Sequence, residues 1–375
     1  MIVFMGFGLR RKVFIAVSFV IANSIMGSLQ SAVAVPCADE IVKLLNSESY
    51  GFDRDVLKKL DSVAIAAMDV RALNKELAGG DRYAHYIPAT TLKRVINLGR
   101  SAVAGTGMDI ITDRNGRIRL IPFTGSPADI SGIEYGDILK EVDGTDITGM
   151  SIDEVGYLIR GEEGTDVEIT AVDGSGEKYT VPVTRKIQSY PDVVRTGSNP
   201  AVIRIFRFGS NTSVQLYSEI EKLKNEPGFV TGEGKDKRYR RFFIDLRGNT
   251  GGVMEQGALS AGIFLTAGAT VYRFKNNDGI KEIRSEKSGI AGNLRFVVIQ
   301  DSFTASAAEM MIAALKSGAN VGTYGENSAG KSRVQDLFRL SDGSILKLTV
   351  GELLFPDSDT TWEGEGISPD VKKSH

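Results

Sequence analysis

One cysteine, Cys37, and two histidines, His85 and His375, stand among 375 residues. A single cysteine excludes an internal disulfide, so whatever core forms must hold by packing alone. Two histidines and one cysteine in this scattered order match no zinc-ligand spacing, and no metal is expected. A Ser-His-Asp arrangement could draw only on His85, because the other histidine is terminal. His85 precedes YIPA in a helical region, far in sequence from any serine at a strand-to-helix turn, and is expected to be structural. Charge of one sign is also lacking. A formal net charge of -2 and a pI near 5.9 remove any general attraction to nucleic acid or anionic lipid. The five basic residues of KDKRYRRF, Lys235 to Phe242, have no second basic stretch to accompany them and suit a solvated lead-in to a strand. No nucleic-acid partner is expected, and neither a repeat array nor a low-complexity tract is found.

What is present is the composition of an ordinary globular protein, 42% hydrophobic and 25% charged, with length for two or three domains. Arg10, Arg11 and Lys12 precede VFIAVSFVIANSIMGSL and then SAVA, ending at Ala34. These are the charged, apolar and small-residue regions of an export signal, so residues 1–34 are expected to direct export to a periplasmic location. If the segment is retained it anchors the chain peripherally or at its N-terminus, although Ser18, Asn23 and Ser24 interrupt the apolar run. Pro36 immediately before Cys37 argues against a lipid-modified cysteine.

Periodicity divides the remainder. Residues 39–98 show apolar positions at three- and four-residue intervals, in ADEIVKLLNS and DRDVLKKLDSVAIAAMDVRALNKELAG, and predict an independent helical region. Residues 99–187 change to short alternating stretches (MDIITD, IRLIPF, DILKEVDG, DVEITAV, KYTVPV) between glycine turns, a small strand-rich domain. Residues 195–375 predict an α/β core, expected to be packed with parts of the N-terminal region: strands AVIRIFRF, RRFFIDLR, ATVYRF and LRFVVIQD alternate with helices, implying a largely parallel sheet. LFRLSDGSILKLTVGEL closes it as a hairpin.

Two motifs carry chemistry. GENSAGKS, Gly325 to Ser332, spells the phosphate-loop pattern G-x-x-x-x-G-K-[ST]. A working phosphate loop leads from a strand into a helix whose amides face the phosphates, but RVQDLFRLSDGSILKLTV after it has strand and hairpin character. Nucleotide binding is therefore not expected, and Lys331 needs another account. Ser306 follows the apolar strand LRFVVIQD and opens SAAEMMIAALKSG, with Glu309 three residues on. That spacing is a capping box. It is equally the way a nucleophile is presented at the top of a sheet, and periodicity does not separate the two. A serine needs a base, and a lysine desolvated among apolar and glycine residues can be one without histidine. Gln335, four residues beyond Lys331, could orient the amine through its side-chain carbonyl.

At these residues the chain resembles the carboxyl-terminal processing peptidase family, PDZ-containing serine peptidases with a Ser-Lys dyad. TASAAE (304–309) resembles the nucleophile segment, GKSRVQ (330–335) the lysine segment and FIDLRGNTGG (243–252) the family's DLR-x-N-x-GG element. DRYAHYIP (81–88) and GEGISPD (364–370) match its opening and closing motifs, so the likeness covers nearly everything after the export-like segment. Two departures stand out: Thr250 replaces the usual proline, and YGENSAG lengthens the approach to Lys331.

The resemblance implies a crotonase/ClpP-like peptidase core with an inserted PDZ domain and an N-terminal helical region. It implies Ser306 as nucleophile, Lys331 as base, Gln335 as its orienting partner, and the Gly252 and Ala307 N–H groups as oxyanion donors beside Gly251. Arg247 and Asn249 are expected to brace that turn. Gly105, Thr106, Gly107 and Met108 stand where the PDZ carboxylate-binding loop is expected. Protein or peptide substrates with free C-termini are the implied partners, no cofactor is required, and an activating or adaptor protein and a homo-oligomer are both compatible with it. The alternative is a catalytically inactive or partner-regulated PDZ scaffold in which Ser306 only caps a helix.

Overall fold

A computed structural model describes residues 35–90, 104–187, 190–197, 199–231, 238–291, 294–319 and 321–373. The export-like segment and Lys235 to Lys237 lie outside the described residues. No helix among the described residues is long and apolar enough to cross a membrane.

Six strands, Val193–Thr196, Val202–Ile205, Phe242–Asp245, Phe296–Gln300, Gly322–Gly325 and Val371–Lys372, lie side by side in that order. All but the first pair run parallel. Ile203, Ile205, Phe242, Ile244 and Val298 alternate into the core, where Leu216, Ile220 and Leu223 of helix Thr212–Lys224 cover them. The central element is helix Ala307–Gly318. Residues 307–315 are all buried, because AAEMMIAAL is apolar or small on every face except at Glu309. Helix Met254–Gly262 comes close to its N-terminal turn, and a Cβ at Gly257 would lie 3.0 Å from the Ala307 carbonyl oxygen.

ATVYRF does not join this sheet. Strand Thr270–Asn276 pairs antiparallel with Gly279–Arg284 and with Ile345–Leu354, in a second sheet that also takes Arg333–Arg339 and His85–Ile87. Alternation with period two reports that a segment is half-buried, not the direction of its neighbours.

The N-terminal region packs with the C-terminal hairpin. Ile41, Leu45, Ile65, Leu73 and Leu77 share one apolar cluster with Leu340, Leu346 and Leu348 of the C-terminal hairpin. Its helices are too short to bury their own faces. The long periodic stretch is three helices, Arg54–Leu57, Ser62–Ala66 and Val70–Gly80, opened by Asp53, Asp61 and Asp69. Each aspartate accepts the N–H of a residue two or three positions ahead, which restarts the helix at every cap.

The inserted domain has its own core, with Leu120, Val142, Val155, Val167 and Ile169 fully buried. Strands Met108–Thr112, Ile118–Pro122, Ile138–Val142, Asp166–Val172 and Lys178–Thr184 follow in order, leaving Met108–Thr112 at the edge, with helix Ile152–Ile159 against it. Contacts tie this domain to the core from several sides. Arg114 donates to the carbonyls of Ser328 and Glu365 at 2.6 Å, Tyr135 donates to Asp301, Thr250 donates to Asp109 at 3.4 Å, and Lys347 pairs with Asp153 at 2.6 Å.

Candidate active site

Strand Phe296–Gln300 ends at the sheet's carboxyl edge, and Ser306 begins the central helix with φ 56° and ψ -119°. That backbone is rare for an L-residue and costs on the order of 1–3 kcal/mol. Asn249 holds the neighbouring turn from within: its Nδ2 donates to Ile205 O, its Oδ1 accepts Gly251 N–H, and its own carbonyl accepts Ala305 N–H. Arg247 closes a two-point ion pair on Asp245. Gly251 lies so near the serine that a Cβ there would be 2.7 Å from Ser306 Cβ and 3.1 Å from Ala307 N. With Gly251 N–H taken by Asn249, the N–H groups of Gly252 and Ala307 are left without an acceptor among the described residues. Gly252 is fixed by the Phe208 backbone, which donates to Gly251 O and accepts from Val253 N–H.

Glu309 is wholly buried and does more than cap. Its Oε2 accepts the N–H of Ser306 at 2.8 Å and that of Lys331 at 2.9 Å, while Oε1 accepts Ser328 Oγ at 2.6 Å and Gly330 N–H at 2.7 Å. One carboxylate thus pins the serine turn to the lysine loop. Burial pushes its pKa above the usual carboxylate range, and the four donors oppose that rise without cancelling it. Glu363 clamps the next residues, accepting Ser332 N–H at 2.8 Å and Arg333 N–H at 3.2 Å through one oxygen, and Arg82 and the Tyr83 hydroxyl through the other. Tyr83 also presents its ring to Lys331, with Nζ 5.4 Å from the centroid.

Lys331 is brought to this junction, and burial, followed by the charge of Lys347, lowers its pKa to about 8; Asp153, Glu363 and Glu309 oppose that shift. No hydrogen bond joins Ser306 Oγ to Lys331 Nζ. Gln335 makes no hydrogen bond to Lys331: its amide donates to Arg333 O at 3.0 Å and to Thr349 Oγ1 at 3.5 Å. His85 is buried beside Asn74, well tied into the second sheet. Gly105, Thr106, Gly107 and Met108 lead into the edge strand of the inserted domain. Gly105 exchanges hydrogen bonds with Lys186, while among the described residues no acceptor faces the Thr106 or Gly107 N–H.

GENSAGKS leaves strand Gly322–Gly325 and runs into strand Arg333–Arg339 rather than a helix. Ser332 is buried, and its hydroxyl lies against Glu363 and Thr361. Glu309 was legible only as a capping residue and Glu363 carried no sequence signal, since both act on backbone more than twenty residues away.

Residues 199–373 match the profile described as peptidase family S41, and residues 124–172 match that of the PDZ domain. The carboxy-terminal processing protease CtpA of Bacillus subtilis is 29% identical over 363 residues, covering 94% of this chain and 73% of that protein. A probable CtpA-like serine protease of Staphylococcus aureus is 29% identical over 336 residues, and the chain spans 63% of its length. Among solved structures, a photosystem II D1 C-terminal processing protease superposes with a TM-score of 0.75 at 24% identity, over 90% of this chain and 92% of that one, which speaks for a common fold.

Proposed function

The chain belongs to the carboxyl-terminal processing peptidase family, and from that premise we propose that it is an exported serine endopeptidase that cleaves protein substrates near their C-termini. The observation that carries the reading is Glu309, which fixes Ser306 and Lys331 to one carboxylate oxygen while the Gly252 and Ala307 N–H groups stay free. The substrate tail adds to the edge strand Met108–Thr112, its carboxylate held by N–H groups of the Gly105-Thr106-Gly107-Met108 loop. The scissile carbonyl oxygen lies at the N–H groups of Gly252 and Ala307. Neutral Lys331 takes the Ser306 proton as Oγ attacks, returns it to the leaving amine, and then activates the water that hydrolyses the acyl-enzyme.

The contacts of the inserted domain on Thr250, Asp301, Ser328 and Glu365 favour a second reading, a scaffold held inactive until a partner frees it. A fluorophosphonate probe with mass-spectrometric mapping separates the two. Labelling at Ser306 together with cleavage of an unfolded protein, both absent in Ser306→Ala, supports the peptidase. A properly folded chain that takes no label and cuts nothing supports the scaffold.

A further inference from the structure

Tyr83 belongs to the opening motif DRYAHYIP of the N-terminal region, yet its ring faces the Lys331 amine, with Nζ 5.4 Å from the centroid. Hydrogen bonds hold it there. Asp81 Oδ1 accepts the Tyr83 N–H at 3.1 Å while Oδ2 accepts Thr349 N–H at 3.1 Å, which ties the segment to the second sheet. The Tyr83 hydroxyl accepts from Arg82 and donates to Glu363 Oε1 at 3.0 Å. The other Glu363 oxygen accepts the N–H groups of Ser332 and Arg333, the two residues that follow Lys331, so ring and amine are set by one clamp. We propose that Tyr83 is a positioning residue for Lys331: its ring face receives the ammonium formed when the amine takes the Ser306 proton, and the N-terminal region thereby supplies one wall of the active site. This rests on the peptidase reading above.

A buried ammonium needs a partner. Among the described residues Lys331 Nζ makes no hydrogen bond, and the oxygens of Glu309 and Glu363 already accept N–H and hydroxyl donors. An aromatic face attracts a cation most strongly where water is excluded. Unlike a carboxylate, it brings no full negative charge that would keep the resting amine protonated. The phenol is not itself a base: burial and then Glu363 push its pKa far above the ordinary value against the charge of Arg82, so the hydroxyl stays a donor. Lys331 also feels its burial and the charges of Lys347, Asp153, Glu363 and Glu309, and Arg82 faces Tyr83 directly. Variants at position 83 leave all of these residues in place.

A ring that receives the ammonium and a ring that only fills space differ in sign. Losing the first removes a stabiliser of the charged form, so the neutral amine persists to lower pH and the acid limb of the profile moves downward. The high-pH plateau of kcat falls as well, because the protonated lysine reached during the reaction has lost its partner. Losing mere packing admits water to the amine, relieves the burial that keeps it neutral, and moves the limb upward.

The experiment is kcat and KM from pH 6 to 10 for the full chain, with the pH dependence of Ser306 labelling and a thermal melt measured in parallel. Tyr83→Phe keeps the ring, and Arg82 still holds Glu363 Oε1 at 2.7 Å, so its limb should coincide with wild type. Tyr83→Leu should lose at least about threefold in plateau kcat with KM unchanged, and its limb should fall by about half a unit or more. Pentafluorophenylalanine at position 83 keeps the shape of phenylalanine and reverses the charge of the ring face, so it should reproduce both effects even where the leucine variant fails to fold. A limb unmoved or raised in the fluorinated variant, or a Tyr83→Phe profile displaced like that of Tyr83→Leu, would overturn the role of Tyr83 and leave the peptidase reading intact. Wild-type turnover in Lys331→Ala would overturn both.

Discussion

Replacing Glu309 with glutamine separates what the carboxylate does for stability from what it does for chemistry. Each of its oxygens accepts two hydrogen bonds, Ser328 Oγ and Gly330 N–H at Oε1, Ser306 N–H and Lys331 N–H at Oε2. A glutamine amide must turn its NH2 towards one pair. Facing Ser306 and Lys331 it would oppose two backbone donors that cannot adapt. Facing the other pair it opposes only Gly330, because the Ser328 hydroxyl can rotate, although it already accepts Ile367 N–H at 2.7 Å. The second orientation is preferred. One orphaned buried N–H costs about 1–3 kcal/mol, and two bonds weakened from charged to neutral add about 1 kcal/mol each, for roughly 3–5 kcal/mol in all. For a chain of this size that is on the order of 10 °C in melting temperature. Because the remaining carbonyl still holds Ser306 and Lys331, kcat per folded molecule should fall less than about tenfold. Glu309→Ala releases all four anchors and should lose more than about 100-fold. The assays are a thermal melt and turnover normalised to labelled active sites at a temperature where both variants are folded. A Glu309→Gln melt equal to wild type, or wild-type kcat in Glu309→Ala, would refute the anchoring argument.

Lys331→Ala and Lys331→Arg should each lose at least about 100-fold in peptide turnover, arginine because its guanidinium stays charged, whereas Ser332→Ala should retain most activity; steady-state cleavage of the three variants checks this. With the lysine pKa lowered to about 8, the active neutral form grows as pH rises, so kcat/KM should climb about tenfold from pH 7 to pH 9; a flat profile across that range would count against a lysine base. Ser306→Gly should melt above Ser306→Ala by roughly 1 kcal/mol in stability, since glycine adopts a positive φ without strain, and equal melts would mean the backbone relaxes. The Ser306→Ala full chain should bind peptides with a free apolar C-terminus more tightly than their amides, read by fluorescence titration; equal affinities would remove the carboxylate loop from recognition.

The sequence made some of this visible and hid the rest for identifiable reasons. The order of strands and helices from Ala201 onward was legible because each element carries its own periodicity, and Ser306 was legible because a strand, a short turn and a helix converge on it. The turn at Asp53, Asp61 and Asp69 was signalled by three capping residues eight positions apart, yet the helical period running through them masks the breaks. The antiparallel placement of Thr270–Asn276 was not read from the sequence: one partner, Gly279–Arg284, follows it directly, but the other, Ile345–Leu354, lies more than 70 residues away. The hydrogen bond of Gln335 towards Thr349 was not legible for a different reason: it is set by pairing with a strand 14 residues further on, which spacing along the chain does not report.

The phosphate-loop pattern shows the same limit from the other side. What makes G-x-x-x-x-G-K-[ST] bind phosphate is a run of backbone N–H groups converging on an anion, with the lysine beside it. In this chain the convergence exists. The N–H groups of Gly330 and Lys331 meet Glu309, and those of Ser332 and Arg333 meet Glu363, so four successive amides already face carboxylates of the chain itself. Gly330 takes φ 84° to allow it, and a Cβ there would come within 2.8 Å of the backbone at Gly364 and Gly366. A nucleotide phosphate would have to displace two carboxylates, both held by further donors. The motif therefore keeps its physics and changes its anion: the glycines let the loop wrap an internal acid, and the acid in turn ties the backbone N–H of Lys331 to that of Ser306 through one oxygen.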